Sequence, residues 1–323
     1  MAMIRFRSIS SALACLAVVS SQSTLYSPAH ANTTASGAVP CQQLVSAIKP
    51  LKIGFKWTEG PAWDPAAKRW IFSDLMGETE YSITPAGVLA PLRRPAGYPN
   101  GHALLPDGSF VVAQHDRTLG TVNADGSGYK VVASTFQGRR LNSPNDVTVA
   151  SNGDVFFTDP IFGIDGFGPV KAKPELPFRG VYRFSKGQLS LISDKLEEPN
   201  GIALSSNGST LYVSQTSNNT IYKIDLSSYQ GRPLPVTPLL TFKQIPQGHP
   251  SARASDGLRV DSKGNIWATG PGGIGVFRPD GTNVCSIPFH DHVANLAPGG
   301  SDGRSVLVTS ADKLYLISLY KPF

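Results

Sequence analysis

The chain has 323 residues, of which 41% are hydrophobic and 16% charged, enough for one large domain or two small ones. The formal net charge is +6, but no cluster of Lys and Arg interleaves with aromatic residues, so the basic balance is a solvated surface and not a nucleic-acid footprint. No long stretch has helical periodicity; short runs rich in Val, Ile, Phe, Tyr and Thr lie between Gly- and Pro-rich turns, which points to an all-β fold.

The first segment, residues 1–31, carries Arg5 and Arg7, an apolar run and then Ala29-His30-Ala31. That order is the n-region, h-region and A-x-A cleavage pattern of a secretory signal. The apolar run, about Ile9 to Ser20, is too short to span a bilayer. Export to the periplasm or the medium is expected, with no membrane span in the mature chain. Removal of the two arginines takes the charge from +6 to +4. Residues 32–50 form an N-terminal segment, and residues 51–323 hold the repeats. Cys41 and Cys285 are the cysteines left after processing. A disulfide and two free buried thiols are equally open readings.

A unit then recurs six times. It begins "TEGPAWD" at Thr58, "PNGHALL" at Pro99, "SPNDVTV" at Ser143, "PNGIALS" at Pro199, "SDGLRVD" at Ser255 and "ANLAPGG" at Ala294. Aligned, the units mark one polar residue each: Glu59, Asn100, Asn145, Asn200, Asp256 and Asn295. Eight residues after each stands Ala67, Gly108, Gly153, Gly208, Gly264 or Gly303, and a short apolar strand follows. The steps between copies are 41, 45, 55, 56 and 39 residues. That is the length of a four-stranded blade, so the expected fold is a six-bladed β-propeller with the marked residues at the start of the innermost strands. Any one Asn-Gly is also a plain turn former. Six in one register, with both departures from Asn being carboxylates, favour a ring about a common axis.

The longest break in the pattern is Asp159 to Gly180, an aromatic, Gly-rich stretch expected to act as a lid, with Phe162 and Phe167 over the pocket. His249 lies in a polar, Pro-containing segment that could overhang the mouth, and His290 and His292 read as loop histidines. "GPGGIG" at Gly270 fits a dinucleotide motif but is followed by a strand, and "GGSDG" at Gly299 fits a nucleophile elbow but lies in the sixth turn; both are hairpins.

A ring of carboxylate and carboxamide oxygens without a thiol suits one hard divalent cation. Calcium is the first expectation, with zinc, magnesium and manganese as alternatives. Glu59 and Asp256 match its charge, and without a cation they would repel.

The segments "EGPAWD", "LNSPNDV", "FTDP", "PNGIA", "SDGLRVDSKGNIW" and "GPGGIGVFRPDG" resemble the SMP-30/gluconolactonase family of six-bladed propellers, from about Ile53 to Leu316. The resemblance implies a divalent metal held by Glu59, Asn145, Asn200 and Asp256, with Asp256 as general base and Asn145 also touching substrate. Asn100 and Asn295 complete the ring as substrate contacts. His102 is a pocket contact or a surface loop residue, and Arg140 matches the family's substrate arginine loosely. Asp146 either orients Asn145 or satisfies backbone amides. The implied reaction is metal-dependent opening of a small-molecule lactone or ester. The rivals are a phosphotriesterase at the same metal and a non-catalytic, ligand-binding propeller.

Overall fold

The structure is a computed structural model and describes residues 41–243 and 254–323. The expected export signal and His249 lie outside the described residues. Strands dominate; among the described residues the helical elements are short 3-10 turns such as Leu75–Gly77 and Gly163–Asp165. No helix among them is long and apolar enough to cross a membrane.

Among the described residues there are six four-stranded antiparallel sheets, five of them built from strands consecutive in sequence. Blade 1 runs through Thr58–Asp64, Arg69–Asp74, Thr79–Ile83 and Leu89–Arg93. Blades 2 to 5 begin with Pro99–Leu104, Val147–Val149, Pro199–Leu204 and Leu258–Val260. Blade 6 takes Asn295–Gly299, Ser305–Ser310 and Lys313–Leu319, and its fourth strand is Val45–Ile53 from the opposite end of the chain. That strand straddles residue 51, where the sequence placed the start of the propeller, and it joins the two ends of the ring in one sheet. The first strand of each blade neighbours the first strand of the next, and blade 6 returns to blade 1. A small extra hairpin, Thr135–Phe136 with Arg139–Arg140, stands between blades 2 and 3.

The reason for radial stacking is visible in the second strands. Successive side chains of a strand point to opposite faces. Val306 and Val308 enter the cluster between blades 5 and 6, whereas Leu307 between them enters the cluster between blades 6 and 1. Phe110 and Val112 likewise face blade 1 while Val111 and Ala113 face blade 3. Each sheet is therefore apolar on both faces and needs two neighbours. Six buried clusters, one per blade interface, satisfy all of them among the described residues.

Cys41 and Cys285 are joined, tying the segment ahead of the closing strand to the outer strand Asn283–Pro288 of blade 5. The disulfide is thus the observed member of the two readings the sequence left open.

Candidate metal and active site

At the axis the inner strands crowd together, and the residue after each marked position shows it. A Cβ on Gly101 would lie 2.7 Å from the Asp146 Cα, and one on Gly201 would lie 2.3 Å from the Asp256 carbonyl oxygen. Asn100-Gly101 and Asn200-Gly201 are therefore not turns but lie within strands. Glycine lets neighbouring backbones close the ring, and the preceding side chain is the one that faces the axis.

Two repeated devices fix those side chains. Hydroxyls on the second strands donate to the marked residues' carbonyls in the next blade: Ser73 to Asn100 at 2.7 Å, Thr158 to Asn200 at 2.6 Å and Ser214 to Asp256 at 2.5 Å. One residue further on, a polar side chain anchors the loop that enters the ring. Asp74 accepts from the Lys56 and Trp57 amides, Asp159 from those of Asn142 and Ser143, and Gln215 from that of Glu197.

A cavity of about 360 Å³ opens at this end of the channel. Glu59, Asn100, Asn145, Asn200 and Asp256 form its polar floor, and Trp57, Leu75, Phe162 and Phe167 form apolar walls. No Lys or Arg is among its lining residues within the described part of the chain. Phe162 and Phe167 thus stand where the sequence put them, held by Ser143 Oγ, which accepts from the Gly163 amide at 2.9 Å and donates to the Pro160 carbonyl.

The other sequence expectations are placed elsewhere. Asn295 is buried below the floor; its Oδ1 accepts from the Leu296 amide and its Nδ2 lies 3.4 Å from Asp146 Oδ2. His102 does not reach the cavity. Its Nδ1 is 3.0 Å from the Gly60 carbonyl and its Nε2 3.4 Å from Glu80, inside the interface of blades 1 and 2. Arg140 is exposed on the small hairpin, its amide donating to Glu175 and its guanidinium to the Asp116 carbonyl. Asp146 satisfies backbone amides, accepting from Val147 at 2.9 Å and Ile202 at 3.3 Å, and pairs with Arg259 at 3.1 Å. It occupies the position that is glycine in four blades, so its carboxylate projects into the channel.

Two histidines hold places the sequence did not assign them: His292, expected only as a loop histidine, and His115, not singled out. His292 is no bystander: its Nε2 is 3.4 Å from Asp256 Oδ2 and its ring lies 5.6 Å from that of Trp57, while His290 is on the surface. His115 is buried in the cavity wall, its Nε2 3.0 Å from Asn100 Nδ2 and 3.4 Å from Asn145 Nδ2, and its Nδ1 2.8 Å from the Phe167 carbonyl. Gln114 is the blade 2 counterpart of the loop anchors Asp74, Asp159 and Gln215, and His115 follows it, in the position that Leu75 and Thr216 hold in blades 1 and 4, where each also lines the cavity.

Burial pushes both floor carboxyls well above their ordinary range. For Glu59 the charges of Asp256 and Asp146 add to it, opposed by hydrogen bonds from Trp57 and Gly60. For Asp256 the charge of Asp146 adds, opposed by a hydrogen bond from Asn200. Burial lowers His115 to about 4, opposed by its bond to the Phe167 carbonyl, so the imidazole is neutral.

The donor set fits a hard cation. Among the described residues no three His, Cys, Asp or Glu side chains gather into a metal cluster, so carboxamides have to supply part of any shell. They are prepared for it at Asn200, where Nδ2 donates to Thr216 Oγ1 at 3.0 Å and the oxygen is left to the cavity. Two mutually repelling buried carboxylates complete an oxygen set that a divalent ion would neutralise.

Fold and site together define an enzyme-type six-bladed propeller, in which side chains from separate blades build one axial cavity. The chain belongs to the SMP-30/Gluconolactonase/LRE-like family, whose model matches residues 57–312. It is 32% identical over 253 residues to a gluconolactonase of Zymomonas mobilis, covering 72% of this chain and 70% of that one. A solved gluconolactonase of Xanthomonas campestris superposes with a TM-score of 0.76 at 28% identity, covering 88% of this chain and 93% of the other. A diisopropyl-fluorophosphatase of Loligo vulgaris is 24% identical over 246 residues, covering 69% and 75% of the two chains.

Proposed function

We propose that this protein is an exported hydrolase that opens a lactone ring by attack of water at the ring carbonyl. The observation that carries the reading is the convergence of Glu59, Asn145, Asn200 and Asp256 from four blades onto one cavity, in a family member similar to two gluconolactonases. The aromatic walls suit the flat face of a small ring. Those four residues would hold a divalent cation, calcium foremost, which when bound would supply positive charge against the developing oxyanion. Asp256 takes the proton of the attacking water as general base. His292, 3.4 Å away, orients that carboxylate and is placed to pass the proton outward past Trp57. The disulfide agrees with an oxidising compartment.

The test is hydrolysis of a lactone panel, and of one phosphotriester on account of the Loligo relative, with and without chelator. Chelator abolishes lactone opening, Asp256→Asn lowers kcat by about 10²–10⁴-fold, and Glu59→Gln weakens calcium binding. Chelator-insensitive turnover, or full activity in both variants, refutes the reading. Metal-bound protein inert toward every ester would make it a ligand-binding propeller.

A further inference from the structure

We infer that His115 is a positioning residue: an imidazole locked as the Nδ1–H tautomer, which turns the oxygens of Asn100 and Asn145 toward the cavity and ties them to the aromatic loop above. The inference rests on the reading of the site given under Proposed function and goes beyond it to a residue outside the ligand set. Its starting point is the Phe167 carbonyl, 2.8 Å from His115 Nδ1. A carbonyl oxygen only accepts, so Nδ1 carries the proton and Nε2 offers a lone pair. Two carboxamide nitrogens lie within reach of that lone pair, Asn100 Nδ2 at 3.0 Å and Asn145 Nδ2 at 3.4 Å. An amide oxygen in either place would set lone pair against lone pair in a buried site. Both Asn side chains are therefore held by their NH2 ends, and their oxygens are committed to the cavity.

The same polarity relay occurs once more in the ring. Thr216 Oγ1 donates to the Ser255 carbonyl at 3.1 Å and so accepts from Asn200 Nδ2. Backbone carbonyls thus set the direction of all three carboxamides before any ligand arrives, which is what preorganisation of an oxygen site requires. His115 has a further consequence that Thr216 lacks. The loop that covers the cavity packs directly on it: a Cβ on Gly163 would lie 2.8 Å from the His115 Cβ, and one on Gly168 would lie 3.0 Å from its carbonyl oxygen. Phe167 meanwhile presents its ring to Trp57 at 5.9 Å across the cavity. One imidazole accordingly joins the wall that meets substrate to the floor that holds the oxygens.

The experiment has two arms on the full-length chain. In the first, chelated protein labelled with 15N at histidine gives a long-range 1H–15N spectrum, and the signal missing from His115→Gln assigns His115. The Nδ1–H pattern is expected; the Nε2–H pattern overturns the inference. In the second, calcium is titrated calorimetrically into wild type, His115→Gln and His115→Asn. The Gln carbonyl reaches the place of Nε2 and still accepts from the carboxamides, so its Kd stays within about threefold. The Asn side chain keeps a donor for the Phe167 carbonyl but is too short to reach the carboxamides, so its Kd rises about 10–100-fold and kcat falls more than KM changes. Equal losses in both variants, or none in either, overturn the inference. Wild-type protein that binds no calcium and opens no lactone removes the underlying functional reading instead, while the spectrum still decides the tautomer.

Discussion

Asp146 and Arg259 illustrate what a single non-glycine residue does at a crowded axis. Asp146 is almost fully buried and its charge adds to the repulsion felt by Glu59 and Asp256. Arg259 answers it with Nη1 at 3.1 Å, while the same nitrogen donates to the Leu258 carbonyl at 2.7 Å. Loss of one partner of such a buried pair leaves an uncompensated charge, at a cost of about 3–5 kcal/mol. Arg259→Met is expected to lower unfolding free energy by that amount in urea. Adding Asp146→Asn to Arg259→Met is expected to restore most of it, because the orphaned charge is then gone. An Arg259→Met protein as stable as wild type would show that the pair is not what balances the channel.

At the scale of an element, the loop from Asp159 to Gly180 hangs from one carboxyl group. Asp159 ends the second strand of blade 3, and its two oxygens accept from the Asn142 and Ser143 amides at 2.8 Å each. Burial raises it to about 7, against those two bonds and the opposing charge of Arg117. A carboxyl whose folded pKa lies above its unfolded value contributes stability that is fully present below the unfolded pKa of 3.8 and is lost as pH rises through about 7. The thermal midpoint should therefore fall between about pH 5 and pH 8. Asp159→Asn should be less stable at acidic pH but flatter over that range. A wild-type midpoint that rises with pH, or an equal slope in the variant, contradicts the assignment.

At the scale of the whole molecule, the ring is a chain of six interfaces closed at one place. That place is blade 6, where Val45–Ile53 pairs with Lys313–Leu319. The Cys41–Cys285 bond spans 244 residues of sequence and is buried in the same cluster that joins blades 5 and 6. A bond closing so long a loop restricts the unfolded chain, and its typical worth is about 2–4 kcal/mol. Cys285→Ser is expected to lose that much stability. It should also speed amide exchange in Val45–Ile53 more than in the inner strands, since the strand is then held by its ladder alone. Uniform acceleration throughout the ring would mean that closure is not the weakest link.

The six-unit repeat, the start of each inner strand and the set Glu59, Asn100, Asn145, Asn200 and Asp256 were legible in the chain because a blade imposes one local register, and a local register is written in consecutive residues. The cavity-lining aromatics Phe162 and Phe167 were legible for a similar reason, in an insertion that broke the period. What the sequence could not separate were residues of like chemistry whose surroundings come from other blades. His102 and His115 both belong to blade 2, yet one is consumed by Glu80 and the Gly60 carbonyl while the other faces two carboxamides and the Phe167 carbonyl. His290 and His292 differ by two positions, and only His292 is brought to Asp256. Asn295 shares the register of its counterparts but lies deeper, because Asp146 crosses the channel to meet it. Periodicity thus determined how many blades there are and which residues begin them. The tertiary structure alone decided which of those residues share a cavity, since that depends on distances between strands that are far apart along the chain.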